Sequence, residues 1–352
     1  MTPGALRGSA CPSPANRGGR IQLGHGSGGR LSAELLNDHF LPAFDNPVLR
    51  TLGDGAVIPV TGSEIVLSTD TFVVSPLEFP GGTIGDLAVN GTVNDLAMMG
   101  ADPLYLTAGF ILEEGLSLAL LDRVLASMAR AAREVGIRVV AGDTKVVERG
   151  KADGLFINTT GLGLLQPGFR PGPGQARPGD VVLVSGSLGR HGITILAARR
   201  ELGLEVELES DTAPLADLVS ALREGVGNAV HVLRDPTRGG LASTLNEIAS
   251  ASRVGIELVE EAIPLPAQVR GACELLGLDP LYVANEGVLV AILEPALADH
   301  ALRALRAHPL GREAEAVGQV VDQHPGMVTL RTGLGTRRVV DLLPGDQLPR
   351  IC

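Results

Sequence analysis

The chain has no Trp, only 2 Tyr and 7 Phe in 352 residues, so its cores must be aliphatic. Cysteine is scarce too: Cys11, Cys273 and Cys352 are the complete set. An odd, widely spaced trio excludes a disulfide framework, and without a CxxC pair or a Cys/His cluster there is no zinc signature. Such sparse usage fits a reducing cytoplasm, the compartment expected for this chain. No apolar run approaches the ~18 residues a membrane span needs. The opening stretch, 1–20, lacks the apolar segment of a secretory signal and reads as a disordered leader. Positive charge is in deficit, with 29 Lys+Arg against 40 Asp+Glu, a formal net charge of −11. That balance excludes a nucleic-acid-binding surface, which needs clustered cations. It leaves room for nucleotide phosphates held by backbone N–H groups and a divalent cation.

What is present is a globular balance, 45% hydrophobic and 20% charged, with 46 Gly. The length suits two domains. The boundary falls at the Pro/Gly-rich stretch 166–179, which breaks both helix and strand. Before it, apolar patterning predicts strands at 64–70, 103–112, 137–142 and 155–165, with helices at 85–99 and 117–135. After it the pattern restarts, with strands at 180–186, 229–233, 256–259 and 288–293 and helices at 191–202, 214–224, 239–251 and 295–307. A hairpin of 316–321 with 327–331 is the last structured piece expected. The organisation is a mixed α/β (α+β) chain: leader 1–20, a first domain 21–165, linker 166–179, a second domain 180–335 and a tail 336–352. Pro344, Gly345 and Pro349 discourage regular structure in that tail, so it is expected to be an extended, mobile arm.

Several groups can carry chemistry. His25 to Gly29 is a glycine-rich loop running into a helix, able to offer N–H groups to phosphate oxygens, although it lacks the spacing and Lys of a Walker loop. Carboxylates recur at turn positions: Asp54, Asp70, Asp95, Asp143 and Asp235. Any one of them can be a turn former or helix cap; five together suit Mg²⁺, which takes a few carboxylates with phosphates and water. Lys145, two residues beyond Asp143, closes a strand that looks buried and can steady a γ-phosphate or polarise a carbonyl. Glu286, in a polar break between apolar stretches, is placed for a general base, with helix termination the competing reading. Cys273 lies among apolar neighbours on a helix and reads as core, and Cys11 as inert. Cys352 differs from both: it ends a tail, where a thiol is reachable.

Read together, these pieces resemble the HypE family of hydrogenase maturation proteins, the carbamoyl dehydratases of the nickel–iron hydrogenase pathway. The matching segments are 21–29, 67–100, 139–147, 156–163, 234–242, 273–287 and the ending Pro349-Arg350-Ile351-Cys352. The resemblance implies a two-domain fold like aminoimidazole ribonucleotide synthetase, a homodimer built through the N-terminal sheets, and ATP near the domain cleft. It implies Mg²⁺–phosphate carboxylates at Asp54, Asp70, Asp95 and Asp235, and a phosphate loop at Gly28 and Gly29. Thr71, Asn94 and Thr144 join Asp70 and Asp95 as nucleotide-contacting positions. Cys352 is the implied carbamoyl acceptor, with Asp143, Lys145 and Glu286 assigned to the chemistry and Asn158 able to orient the carbamoyl group. The implied reaction converts S-carbamoyl cysteine to a thiocyanate at the expense of ATP. The implied partners are a carbamoyltransferase, HypF, which loads the thiol, and an iron-bearing HypC–HypD complex, which receives cyanide. This sequence departs from the family at Val288, where Lys is common, and at Arg190, where Asp is usual. The rival readings are selenophosphate synthetase, which wants a reactive Cys or Sec near the glycine-rich loop, and a non-catalytic maturation scaffold.

Overall fold

The computed structural model describes residues 29–40, 49–61, 63–199, 203, 206–343, 345, 348 and 350–352. The leader 1–20 and Gly28 therefore lie outside the described residues. A short helix, α1 (Arg30–Leu35), precedes the first sheet and is tied to the far end of the chain by Arg30 N–H donating to Leu343 O at 2.9 Å.

The first half folds as a five-stranded sheet backed by two helices. Its strands are β1 (Ala56–Val60), β2 (Ser63–Phe72), β5 (Ala101–Glu113), β6 (Arg138–Val147) and β7 (Leu155–Leu165), in the order β1-β2-β7-β5-β6. A small hairpin, β3 (Glu78–Phe79) with β4 (Gly82–Thr83), leads into helix α2 (Ile84–Met98). Thr83 caps that helix while Asp86 reaches back to the Thr83 N–H, a reciprocal capping box. Residues of α2 are buried on nearly all sides, because it lies between the sheet and helix α3 (Leu118–Val135). Gly85 makes this possible: a Cβ there would meet Val124 O at 2.3 Å. By contrast α3 has one buried stripe, Val124, Ser127, Met128, Ala131 and Ala132, and turns its other side to water.

In the segment read as the linker, 166–179, Phe169 and Ala176 are buried, and Gly172 N–H donates to His231 O. The second half is a seven-stranded sheet of β8 (Val181–Val184), β9 (Val230–Arg234), β10 (Gly255–Val259), β11 (Val290–Leu293), β12 (Glu315–Val321), β13 (Val328–Arg331) and β14 (Arg337–Val340). The strand order is β14-β13-β10-β12-β8-β11-β9. Helices α4 (Arg190–Ala198), α5 (Ala216–Val226), α6 (Gly240–Ser252), α7 (Ala267–Leu276) and α8 (Ala298–Ala307) cover it.

Two expectations are corrected here. The run 316–331 is not a hairpin, because β10 lies between β12, its antiparallel neighbour, and β13, its parallel one. The link between them crosses the end of β10 so closely that a Cβ on Gly255 would stand 2.0 Å from Gln323 O. Nor is 316–331 the last ordered piece, since β14 adds an antiparallel edge from residues read as tail. Beyond it the chain returns to the junction between the halves. Leu348 and Ile351 are buried there with Phe72 and Val74 of the first half and Ile193, Ile195, Val269 and Val283 of the second.

Candidate active site

The site is built where the strand and helix ends of both halves meet. Asp70 lies near the end of β2, Asp95 on α2, Asp235 just after β9, and Asp54 in the turn before β1. One carboxylate oxygen from each of Asp54, Asp95 and Asp235 lies within 4.8 Å of the others. Ser68 donates to Asp95 Oδ2 at 2.5 Å, and Arg234 pairs with Asp54 at 2.7 Å and with Glu247 at 2.9 Å. Asp70 stands outside the trio, yet its charge acts on Asp95 and Asp235.

Such crowding is costly. Burial raises the Asp54 carboxyl to about 7 against the pull of Arg234, and raises Asp235 to about 6. Burial, and then the neighbouring Asp235, Asp54 and Asp70, holds Asp95 well above the usual carboxylate range. Asp70 is also raised, chiefly by loss of water. Within this cluster Asp54 Oδ2 is buried with no hydrogen-bond partner. An orphaned hard oxygen beside two more carboxylates fits Mg²⁺, whose charge would offset the repulsion.

Glu286 approaches from the second half on the strap Asn285-Glu286-Gly287. Asn285 anchors it by donating to Pro236 O at 2.8 Å and accepting from Gly189 N–H at 2.6 Å. The Asp211 carboxylate accepts the Glu286 N–H at 3.3 Å from both oxygens, and the Glu286 carbonyl accepts from Ala213 N–H. The approach demands glycine next: a Cβ on Gly287 would lie 1.8 Å from Asp211 O. The Glu286 side chain is buried with Oε1 unpartnered, and burial followed by repulsion from Asp235 and Asp70 pushes its pKa well up. That combination favours the neutral acid, and makes the ionised form a stronger base than a free carboxylate.

Cys352 arrives at the same place. Arg238, in the turn before α6, donates a hydrogen bond to the Cys352 sulfur, and the charges of Glu286 and Asp70 reach it. Loss of water dominates and pushes the thiol up to about 12 despite Arg238. A cavity of about 20 Å³ beside the tail is lined by Gly29, Arg238, Gly239 and Ile351, which brings the described end of the glycine-rich loop to the start of α6.

Other expected site residues fall elsewhere. Asn94 is buried, and its amide donates to Ala213 O at 3.1 Å and accepts from Leu215 N–H at 2.7 Å, tying the two halves together. Thr71 and Asn158 pair across β2 and β7, with Asn158 donating to Asp70 O and Thr71 Oγ1. Asp143, Thr144 and Lys145 lie on β6, which is exposed along nearly its whole length rather than buried. Lys145 Nζ pairs with Asp143 at 2.6 Å, each side chain 71% exposed. Asp143 shares a row with Gly109, Asn158 and Thr71. It is thus three strand spacings, ~14 Å, from the β2 side of the cleft in its own chain.

Sequence reasoning missed Asp211 and read Arg238 only within a plausible phosphate-binding helix start, 237–240, not as a partner of the thiol. Arg238 stood in plain view before Gly239-Gly240, the start of a helix. Asp211 sits in a stretch without periodicity and gave no signal; its carboxyl is raised to about 6 by burial.

Comparisons with known proteins identify the family and the fold. Residues 52–165 match the family model of the AIR synthase related protein N-terminal domain, and 177–330 that of its C-terminal domain. The carbamoyl dehydratase HypE of Cupriavidus necator is 56% identical over 337 residues, covering 96% of both chains. Among solved structures, a chain of a HypE–HypF complex superposes with a TM-score of 0.84 at 48% identity, covering 88% of this chain and 99% of that one. HypE in complex with ATP superposes with a TM-score of 0.79 at 51% identity, covering 93% and 98%.

Proposed function

This chain belongs to the HypE family of carbamoyl dehydratases, and from that premise we propose that it dehydrates a carbamoyl group carried on Cys352 to a thiocyanate, using ATP. The observation that supports this reading most directly is the position of the terminal thiol, beside Arg238 and within reach of the charges of Glu286 and Asp70. A HypF-like carbamoyltransferase loads the sulfur, and an iron-bearing HypC–HypD assembly takes the cyanide for the nickel–iron hydrogenase. All of this takes place in the cytoplasm. The chain works as a homodimer.

The chemistry needs an activated leaving group, because an amide oxygen does not depart as hydroxide near neutral pH. The thiocarbamate oxygen attacks the γ-phosphorus of ATP and the bond to ADP breaks. Glu286, buried with Oε1 unpartnered, accepts in its ionised form a proton from the carbamoyl nitrogen. The C–O bond then breaks, phosphate leaves with the oxygen, and the second N–H proton passes to the departing phosphate as the C≡N bond completes. Asp54, Asp95 and Asp235, with Asp70 adjoining, would hold Mg²⁺, which supplies positive charge to the phosphates. Arg238 steadies the sulfur end, and the fixed tail supplies orientation.

Lys145 enters this scheme from a second copy. Its strand is exposed, and the same sheet bares Tyr105, Ile111, Val139, Val140 and Val146, each more than 40% exposed. Apolar surface on this scale is what a subunit interface covers. Pairing two such sheets lets Lys145 act in the partner's cleft, which its own strand position, ~14 Å away, disfavours in cis.

The test is intact mass after incubation with the carbamoyltransferase, carbamoyl phosphate and ATP. A carbamoyl adduct on Cys352 that loses one water in an ATP-dependent step is expected. Loading without water loss in the wild type would leave the scaffold reading standing.

A further inference from the structure

A main-chain oxygen of each of the last three residues accepts a hydrogen bond. Arg350 O accepts from Arg199 Nη2 at 2.7 Å and from Ser75 N–H at 3.3 Å. Ile351 O accepts from His191 Nε2 at 2.8 Å, and Cys352 O from Val73 N–H at 3.1 Å. The Arg350 guanidinium in turn donates to Val73 O at 3.2 Å and pairs with Asp153. None of these contacts touches the sulfur, so a free and a loaded tail present the same groups to them.

His191 is the most constrained of the donors. It is fully buried on α4, its ring edge-on to Phe79 with centroids 5.6 Å apart, and its Nδ1 lies 2.7 Å from Ser210 Oγ. A carbonyl can only accept, so Nε2 carries the proton and Nδ1 accepts from the Ser210 hydroxyl. Burial pulls the imidazole down to about 4, which keeps this single tautomer neutral across the physiological range. Arg199, at the other end of the same helix, is partly exposed and also donates to Ser75 O at 2.9 Å, linking the strap after β2 to the tail.

We propose that His191, supported by Arg199, is the positioning residue for the carrier tail, gripping its main chain so that Cys352 is presented to the cleft for dehydration. This rests on the reading of Cys352 as the carrier. The grip is independent of the cargo and must release for the thiol to visit a partner. Its strength therefore divides the tail's time between dehydration inside and exchange outside.

The test uses the full chain and three variants, His191→Phe, His191→Gln and Arg199→Gln. The first readout is the rate at which Cys352 reacts with a small aromatic disulfide, followed on the mass of the C-terminal peptide. The second is carbamoyl loading, and the third is single-turnover, ATP-dependent loss of water. In His191→Phe, thiol reactivity is expected to rise about tenfold and water loss to slow about tenfold, as for one lost buried hydrogen bond, with loading undiminished. His191→Gln, which retains an N–H donor, should recover most of both. Arg199→Gln should move both the same way by about threefold.

Wild-type thiol reactivity in folded His191→Phe and Arg199→Gln overturns the proposal. So does loading that falls in step with water loss. If His191→Phe does not fold, Arg199→Gln, on the rim, decides by the same readouts. If the wild type itself neither loads nor loses water, the carrier reading fails, while thiol reactivity still decides whether the tail is gripped.

Discussion

Two stretches of this chain look alike as sequence and sit in opposite surroundings. Asp70-Thr71 near the end of β2 and Asp143-Thr144 on β6 are both Asp-Thr pairs in strands of the same sheet. In each, the Asp oxygen accepts the N–H of the following Thr at 2.8 Å. Yet the Asp70 charge acts on the Asp95 and Asp235 carboxylates and burial raises its pKa, whereas Asp143 is in water, paired with Lys145, and has its pKa lowered. The lesson is that a carboxylate's role is set by what closes over it. Strand β2 is covered by α2 and by the returning C-terminus. Strand β6 is a sheet edge that this chain leaves bare.

Predictions can press on that contrast. The largest effect belongs to Cys352→Ala, which should carry no carbamoyl group at all, as intact mass will show. Next are the cleft acids: Asp95→Asn or Glu286→Gln should load normally and lose water about a hundredfold more slowly or worse, read by single-turnover mass analysis. The β6 edge should behave differently. Lys145→Ala should leave the melting temperature near that of wild type, because an exposed pair contributes little, yet slow dehydration. Coexpressing Lys145→Ala with Cys352→Ala should restore activity in mixed dimers if Lys145 serves the partner's site, and should leave none if it serves its own.

Packing supplies a fourth test. Gly287→Ala should destabilise by about 2–3 kcal/mol, measured by chemical denaturation, because its Cβ has no room against Asp211 O.

The smallest effect is a pH dependence. Asp54 is raised to about 7 and Asp211 and Asp235 to about 6, so between their ordinary value of 3.8 and these values the folded state binds more protons than the unfolded. Stability of the metal-free protein should therefore fall as pH rises from 6.5 to 8. The depressed His191 opposes this only below its ordinary 6.5. Thermal melts should show the decline, and Mg²⁺ with ATP should flatten it. A metal-free protein that grows more stable over that interval would mean the cleft carboxylates are not crowded as described.

Much of the fold was legible beforehand because its signals are local. Alternating apolar residues marked β7 at 155–165 to the residue, and helical spacing marked α3 and α6 within a position or two. Asp54, Asp95 and Asp235 were legible as candidates because Gly-flanked or helix-edge acids are few, and they do converge. The hairpin expected at 316–331 misled because adjacency in sequence is only a tendency toward pairing, and β10 intrudes from sixty residues upstream. Lys145 looked buried because this exposed edge strand carries the same Val-rich pattern as a central one.

By itself the sequence determined the alphabet of the site: an aliphatic two-part chain, acids at turns, and a lone thiol at the end. Only the tertiary structure decided that the terminal thiol meets Arg238, and that His191, one hundred and sixty positions away, takes the Ile351 carbonyl. It also decided which of two matching Asp-Thr pairs stands beside the carboxylate cluster. The reason is physical. Propensity and periodicity act over a few residues, whereas burial, charge crowding and a docked chain end depend on surfaces that only the completed fold brings together.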